Sequence, residues 1–138
     1  MQITRETDYA IRCVLHLSES PDKVASAEEI ATAREIPKSF VSKILQKLAK
    51  NDIVRSLRGT KGGFTLTRRP LDISLLDVIE AIQGPVGINK CAVDKTTCGF
   101  SVTCNVHPIW VDLRKTVEAY LKKTNFAQFK TRSLSVRK

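Results

Sequence analysis

Residues 26–66 contain two short helical segments that are separated by a tight turn and followed by a glycine-rich hairpin. Ser26 and Glu29 have the S-x-x-E spacing of a capping box, which predicts the start of a short helix. Ile36-Pro37 ends that helix. Pro37 also suits the first position of a further helix that runs to about Asn51. This order predicts a helix-turn-helix and excludes most other arrangements of so short a segment.

The second of these helices has one apolar face and one polar face. Its apolar stripe consists of Phe40, Val41, Ile44, Leu45 and Leu48. Its opposite side carries Ser39, Ser42, Lys43, Gln46 and Lys50, with Lys38 at the start of the helix. Serine, lysine and glutamine side chains in such a row can reach base edges and phosphates in the major groove of DNA. An ordinary surface helix would also be polar on this side, so the polar row alone does not distinguish a DNA-binding helix. Together with the features below, it predicts DNA contacts from Lys38, Ser39, Ser42, Lys43 and Gln46.

The hairpin after this helix supplies a further feature. Residues 52–57 and 64–67 are predicted strands, and the segment between them contains three glycines that allow the positive φ values of a tight turn. A helix-turn-helix followed by a β-hairpin is a winged helix. Arg58 and Lys61 are predicted at the tip of the wing, where basic side chains can enter a narrow minor groove. A phosphate-binding loop is excluded, because the G-x-x-x-x-G-K-[ST] pattern is absent.

Positive charge is concentrated around this predicted winged helix. The chain of 138 residues has a formal net charge of +9, and the window 34–69 holds ten basic residues against two acidic ones. Residues 122–138 add six basic residues and no acidic one. A basic segment of this kind indicates a polyanionic partner, of which nucleic acid is the commonest, and double-stranded DNA is the expected one.

Composition excludes several other classes of protein. The hydrophobic fraction of 42% is enough to form a core, and no apolar run approaches the roughly 20 residues that span a bilayer. The first residues lack the apolar stretch of a signal peptide, so we expect a cytoplasmic protein whose four cysteines stay reduced. Neither a Ser/His/Asp arrangement nor an H-E-x-x-H motif is present, and we expect no enzyme.

Other helices are predicted on both sides of the winged helix. Residues 4–19 form an amphipathic helix in which Cys13 belongs to the apolar stripe and is expected to be a core residue. Ser74 caps another helix, which Gly84 and Pro85 end. Residues 84–104 are irregular and contain the other three cysteines.

A long helix is predicted from Val106. Its apolar residues recur at three- and four-residue steps, which is typical of a helix that packs against another helix. We expect the partner to be the same helix of a second subunit, since a two-fold dimer suits DNA; packing on its own domain is the alternative. The predicted interface residues are Val106, Ile109, Trp110, Leu113, Val117 and Leu121. The predicted divisions are a DNA-binding domain (1–83), a cysteine loop (84–105), a dimerisation helix (106–124) and a poorly ordered basic tail (125–138).

Several of these segments together resemble a known family. They are Thr4-Arg-Glu-Thr-Asp-Tyr-Ala-Ile-Arg12, Val41-Ser-Lys-Ile-Leu-Gln-Lys-Leu48, Leu57-Arg-Gly-Thr-Lys-Gly-Gly-Phe-Thr-Leu66, Pro70, Ile73, Asp77-Val78 and Gly84-Pro85. The pattern resembles the IscR and NsrR family of winged-helix transcription regulators (Rrf-type) from Met1 to about Thr124. The resemblance implies a homodimer joined through the long helix, with an iron–sulfur cluster in each subunit that alters the affinity for DNA. The expected fold is mainly α with a small β-hairpin wing.

The resemblance also implies that the loop cysteines bind the cluster. Cys91, Cys98 and Cys104 match the family's three ligands, although the first spacing is C-x6-C where C-x5-C is frequent. For the fourth ligand we prefer His107, which resembles the IscR branch and favours [2Fe–2S] over [4Fe–4S]. Asp8 is the alternative, which resembles the NsrR branch. Two alternatives to a cluster remain open. One is a metal-free thiol switch. The other is a zinc site, for which the cysteine spacings are unusually wide.

Overall fold

The computed structural model describes residues 1–100 and 102–129, which form six α-helices and one β-hairpin. The helices are α1 (Arg5–Glu19), α2 (Ala27–Arg34), α3 (Lys38–Lys50), α4 (Leu75–Gln83), α5 (Lys90–Val93) and α6 (His107–Lys123). The strands are β1 (Val54–Leu57) and β2 (Gly63–Leu66), and 3-10 turns cover Pro70–Asp72, Lys95–Thr97 and Phe126–Phe129. The expected winged helix is therefore confirmed. No helix among the described residues has both the length and the apolar character needed to cross a membrane.

Three of the predicted N-caps begin helices in the structure. The hydroxyl oxygens of Thr4 and Ser26 accept hydrogen bonds from the third amide of α1 and α2. Ser74 and Asp77 form a reciprocal capping box at α4, with N–O distances of 3.0 and 2.9 Å. Each cap satisfies amide groups that have no partner inside the helix. At α3 the prediction is one residue early, because Pro37 lies at the cap and the helix begins at Lys38.

The main core lies between α1, α2 and α3. The apolar face of α3 is fully buried there, against a stripe of α1 that includes Cys13. Burying side chains of this size contributes roughly 1.5–3 kcal/mol each, so the core fixes how α3 is rotated about its axis. The core residues of α3 are Val41, Ile44, Leu45 and Leu48. Phe40, which the sequence analysis assigned to the same stripe, is 38% exposed. It lies at the margin of the core, where its ring packs edge-on against Tyr9.

The wing is an antiparallel hairpin in which Val54 pairs with Leu66 and Leu57 pairs with Gly63. A two-stranded hairpin is marginally stable alone, and here Ala25 exchanges two backbone hydrogen bonds with Phe64, at 3.0 and 2.7 Å. Gly63 permits this contact, because a Cβ at Gly63 would lie 2.5 Å from the Ala25 carbonyl oxygen. The wing is therefore attached to the segment that precedes α2.

Helix α6 packs on its own domain along part of the predicted dimer seam. Val117 and Leu121 lie against a second apolar cluster formed by Leu76, Ile79 and Val86. Both side chains are half-buried by this packing, and their place in a dimer interface stays a prediction. The remaining seam residues differ, because Val106, Ile109 and Leu113 are exposed and Trp110 is half-buried. Because residues i and i+4 share a helix face, Leu113 lies next to Val117, and the exposed residues form, with Tyr120, one edge of a stripe whose other edge packs on α4.

Residues 125–129, which the sequence analysis assigned to the tail, pack against the winged-helix domain. Asn125 forms a β-bridge with Ser74, and the amide of Phe126 donates to the carbonyl of Ile73 at 3.1 Å. The Phe126 side chain is completely buried in the main core and its ring packs edge-on against Phe129. The sequence analysis missed this because one aromatic residue after a helix has no periodicity. The rest of the predicted tail, residues 130–138, lies outside the described residues.

We expect Phe126→Ala to lower the free energy of unfolding by about 3–5 kcal/mol, because it leaves a cavity in the main core. Gln128→Ala is the control, since its exposed position in the same turn predicts a change within about 0.5 kcal/mol. Urea denaturation measures both values. Similar midpoints for the two variants would contradict the placement of Phe126 in the core.

Candidate DNA-binding surface and cysteine loop

The polar row of α3 faces solvent, as its sequence predicts. All five predicted DNA-contacting residues of this helix are exposed, while Val41, Ile44 and Leu45 between them are fully buried. Those five are Lys38, Ser39, Ser42, Lys43 and Gln46. The turn before α3 includes Glu35, which ends α2 in a left-handed conformation (φ 53°, ψ 50°) and reverses the chain. The two helices of the helix-turn-helix are thereby set at a tight corner.

Two contacts hold α3 against α1 at its outer margin. The Tyr9 and Phe40 rings meet edge to face with centroids 5.3 Å apart. The Lys47 ammonium lies 2.9 Å from the Glu6 carboxylate, so this lysine is engaged with α1. Lys38 lies 3.8 Å from Glu28, but both side chains are mostly exposed, and such a pair contributes little to stability.

The wing presents further basic side chains. Arg58 and Lys61 are exposed in the turn between β1 and β2, where the sequence predicted them. Gly59 permits this turn with a φ of +108°, a conformation that side-chain-bearing residues rarely adopt. Arg55 is also exposed, on β1, and the sequence analysis counted it only in the net charge. The alternation of buried and exposed residues within so short a strand was too weak a signal to single it out.

The three loop cysteines lie on different short elements between α4 and α6. Cys91 is in α5, Cys98 follows the Lys95–Thr97 turn, and Cys104 precedes α6. All three are half-buried free thiols, and the Cys91 thiol donates to Asn89 Oδ1 at 3.4 Å. Within the described residues, no three His, Cys, Asp or Glu side chains are close enough together to hold a metal ion. The structure therefore places the three cysteines in one loop, but their thiols are not close enough together to form a metal site.

The two candidates for the fourth ligand have different surroundings. His107 is the first residue of α6, and its Nδ1 is buried without a hydrogen-bond partner among the described residues. The Asp8 carboxylate instead pairs with Arg12 one turn along α1, at 3.1 Å. Three thiols and an unpaired imidazole nitrogen are a donor set that suits an iron–sulfur cluster. The donors fit chemically, although forming the site requires the loop to draw them together.

Cys13 has no part in this loop. Its side chain is fully buried in the core, and burial raises the pKa of the thiol to about 12, with a smaller opposing effect of the Arg34 charge. The thiol therefore stays protonated at neutral pH, and the thiolate is the form that binds metals and attacks disulfides. Cys13 is a packing residue, in agreement with its place in the apolar stripe.

Comparisons with known proteins identify the family. The model of the Rrf2 family, described as an iron-dependent transcriptional regulator, matches residues 3–132. The chain belongs to the Rrf2 family. A relative from Aquifex aeolicus (strain VF5) is 30% identical over 118 residues, which are 84% of this chain and 82% of the relative. Another relative is the HTH-type transcriptional regulator NsrR of Halalkalibacterium halodurans. It is 28% identical over 124 residues, which are 88% of this chain and 83% of the relative.

Two solved structures share the fold at low sequence identity. CymR of B. subtilis, described as the global cysteine regulator, has a TM-score of 0.78 at 19% identity and covers 96% of this chain and 98% of its own. IscR of T. potens has a TM-score of 0.74 at 19% identity, with coverage of 100% and 92%. Together with the family match, the exposed row of α3 and the wing identify this Rrf2 protein as a DNA-binding transcriptional regulator and not an enzyme.

Proposed function

We propose that this Rrf2 protein is a homodimeric regulator whose affinity for a DNA operator is set by an iron–sulfur cluster in the cysteine loop. The observation that carries the proposal is the position of that loop, which joins α4 of the winged-helix domain to α6. A change in the loop therefore acts on both elements at once. Because only a difference in affinity between two states produces regulation, the two forms of the loop must differ in operator binding.

The DNA contacts are proposed for both grooves. Ser39, Ser42 and Gln46 lie on the exposed side of α3 and suit contacts with base edges in the major groove. Lys38 and Lys43 suit phosphates, and Arg58 and Lys61 of the wing suit the adjoining minor groove and its phosphates. A two-fold dimer then favours a near-palindrome with half-sites about one or two helical turns apart.

The proposed dimer interface is the exposed side of α6. Val106, Ile109, Leu113 and Tyr120 leave large apolar side chains open to solvent, at 39–63% exposure. Such a stripe on one helix suits the equivalent stripe of a second copy, and the half-buried Trp110 lies at its edge. Val117 and Leu121 lie at the adjacent edge of the same stripe and hold α6 on α4.

The proposed ligands are Cys91, Cys98 and Cys104, with His107 as the fourth. His107 is favoured over Asp8, because its Nδ1 is buried and has no hydrogen-bond partner in the part of the chain that the structure describes, whereas Asp8 is paired with Arg12. The resemblance of this ligand set to the IscR branch favours [2Fe–2S] over [4Fe–4S]. A bound cluster would supply a centre that oxidants, nitric oxide or iron shortage can alter. The protein's own part is to present three half-exposed thiols from the loop and one imidazole from the start of α6.

A metal-free thiol switch is the second candidate. The loop holds three free thiols that are accessible to oxidants, and two of them could form a reversible disulfide. The shared fold of CymR, a cysteine regulator, is compatible with such chemistry. A zinc site is the third candidate, and the wide cysteine spacings disfavour it.

For DNA binding, we expect Lys43→Ala to weaken binding to all sequences alike and to lower the slope of log K against log [salt] by ~1. Gln46→Ala should instead relax the base preference at one position of each half-site, because glutamine reads base edges. Operator selection followed by titrations at several salt concentrations measures both effects. Lys115→Ala, an exposed change on α6, is the control for charge alone. Variants that all bind like the parent would contradict the placement of α3 in the groove.

For assembly, we expect the double variant Ile109→Glu, Leu113→Glu to sediment as a monomer and to lose operator binding. Both side chains are exposed in one subunit, so the charges should act on the interface and leave the fold intact. Leu71→Glu is the matched control, because Leu71 is an exposed leucine outside α6 and its variant should remain dimeric. A double variant that stays dimeric would place the interface elsewhere.

For the loop, we expect anaerobically purified protein to show visible absorption bands that Cys98→Ala removes and Cys13→Ala retains. Cys98→Ala should stay folded and dimeric, and its operator affinity should differ from that of the loaded protein by roughly 5–150-fold. Colourless protein with bound zinc, or metal-free protein with a loop disulfide, would favour the corresponding alternative. Equal affinities for every operator tested would contradict regulation through the loop.

A further inference from the structure

Helix α5 contains one of the proposed ligands but is too short to be stable alone. It has only four residues, Lys90–Val93, with Cys91 in its second position. Helix nucleation is unfavourable, and isolated helices shorter than about 12 residues are marginal even in good helix-forming sequences. The position of Cys91 therefore depends on contacts that other parts of the chain make with α5.

Arg114 of α6 makes one of these contacts. Its Nη1 donates to the carbonyl oxygen of Ala92 at 2.9 Å, near the carboxyl end of α5. Carbonyl groups at the end of a helix have no partner within the helix, and a cation there also interacts favourably with the helix dipole. The Glu118 carboxylate, one turn along α6, forms an ion pair with the guanidinium at 3.2 Å from Nε, although Nε donates no hydrogen bond among the described residues. A planar guanidinium has its donors at fixed positions, so it faces both partners with less loss of freedom than the flexible ammonium of a lysine.

A second contact with α5 is a close approach at Gly87. Gly87 lies so near Val93 that a Cβ at Gly87 would meet Val93 Cγ2 at 2.2 Å. Ala92 itself is buried. Helix α5 is thus held by the start of the cysteine loop and by the side chain of Arg114.

Helix α6 passes this contact on to the winged-helix domain. One turn beyond Arg114, Val117 packs with Leu121 against Leu76 and Ile79 of α4. Helix α4 in turn packs against both α1 and α3, the helices that orient the DNA-binding row. A continuous set of contacts therefore runs from Cys91 to α3 within one chain.

We propose that Arg114 is a positioning residue that anchors the Cys91-bearing helix α5 on α6 and so transmits the state of the cysteine loop to the winged-helix domain. This inference rests on the proposed function in that it takes the cysteine loop as the regulatory site. Arg114 touches neither DNA nor a ligand in this scheme, and its role is to make α5 and α6 move together.

The first test measures anchoring and needs no metal. In the metal-free full-length protein, Arg114→Met should speed hydrogen exchange of the amides around residues 91–94 by about tenfold or more, because a charge-assisted hydrogen bond is lost. Lys115→Met is the matched control, because it removes one positive charge from the adjacent position and should leave this exchange unchanged. Arg114→Lys should fall between the two. Equal exchange in Arg114→Met and the parent would overturn the proposal.

The second test measures transmission. The ratio of operator affinities between the loaded and metal-free forms should fall towards 1 in Arg114→Met and stay at the parental value in Lys115→Met. The metal-free forms of all three proteins should bind the operator equally. A parental ratio retained in Arg114→Met would overturn the proposal while leaving the proposed function intact. A parental protein with a ratio of 1 would instead contradict the proposed function, and the exchange test alone would then decide whether Arg114 anchors α5.

Discussion

The burial of one face of α3 against α1 is the constraint on which the rest of the structure depends. Four apolar side chains of α3 are completely removed from solvent, and each would lose roughly 1.5–3 kcal/mol if the helix turned about its axis. Because a helix repeats every 3.6 residues, burying these positions forces Ser42, Lys43 and Gln46 outwards. The proposed DNA-binding surface is therefore the face of α3 opposite to the one buried in the core. The wing depends on the same core through Ala25, which is paired with β2.

Helix α6 carries one broad apolar stripe that its own domain covers only in part. One edge of the stripe packs on α4 through Val117 and Leu121, while the adjacent edge leaves Ile109 and Leu113 exposed. An exposed apolar stripe of this kind marks an interaction surface, and the proposed partner is a second copy of the helix. The contacts with α4 then orient each winged-helix domain relative to the proposed dimer axis. The spacing of the two recognition helices would follow from how α6 sits on α4.

The cysteine loop contains little regular secondary structure of its own and depends on contacts with neighbouring segments. Its elements are a four-residue helix and a 3-10 turn, so its shape follows from neighbours such as Arg114 and from the close approach at Gly87. A segment with little intrinsic stability is suited to change shape when its thiols react or bind a metal. Cys13 shows the contrast, since burial in the core raises its pKa to about 12 and keeps it inert. Position in the fold, and not residue type, thus separates a reactive cysteine from a packing one.

The sequence by itself determined the winged helix, its caps and its outward polar row, because these follow from periodicity, capping residues and turn glycines within short segments. Tertiary structure alone decided that Phe126 belongs to the core, that Phe40 lies at its margin beside Tyr9, and that only one edge of the α6 stripe is covered by its own domain. Apolar spacing shows that a side chain will be buried but does not name its partner. The partner is chosen by long-range packing, in which a residue such as Phe126 meets Ile73 across more than fifty positions of the chain.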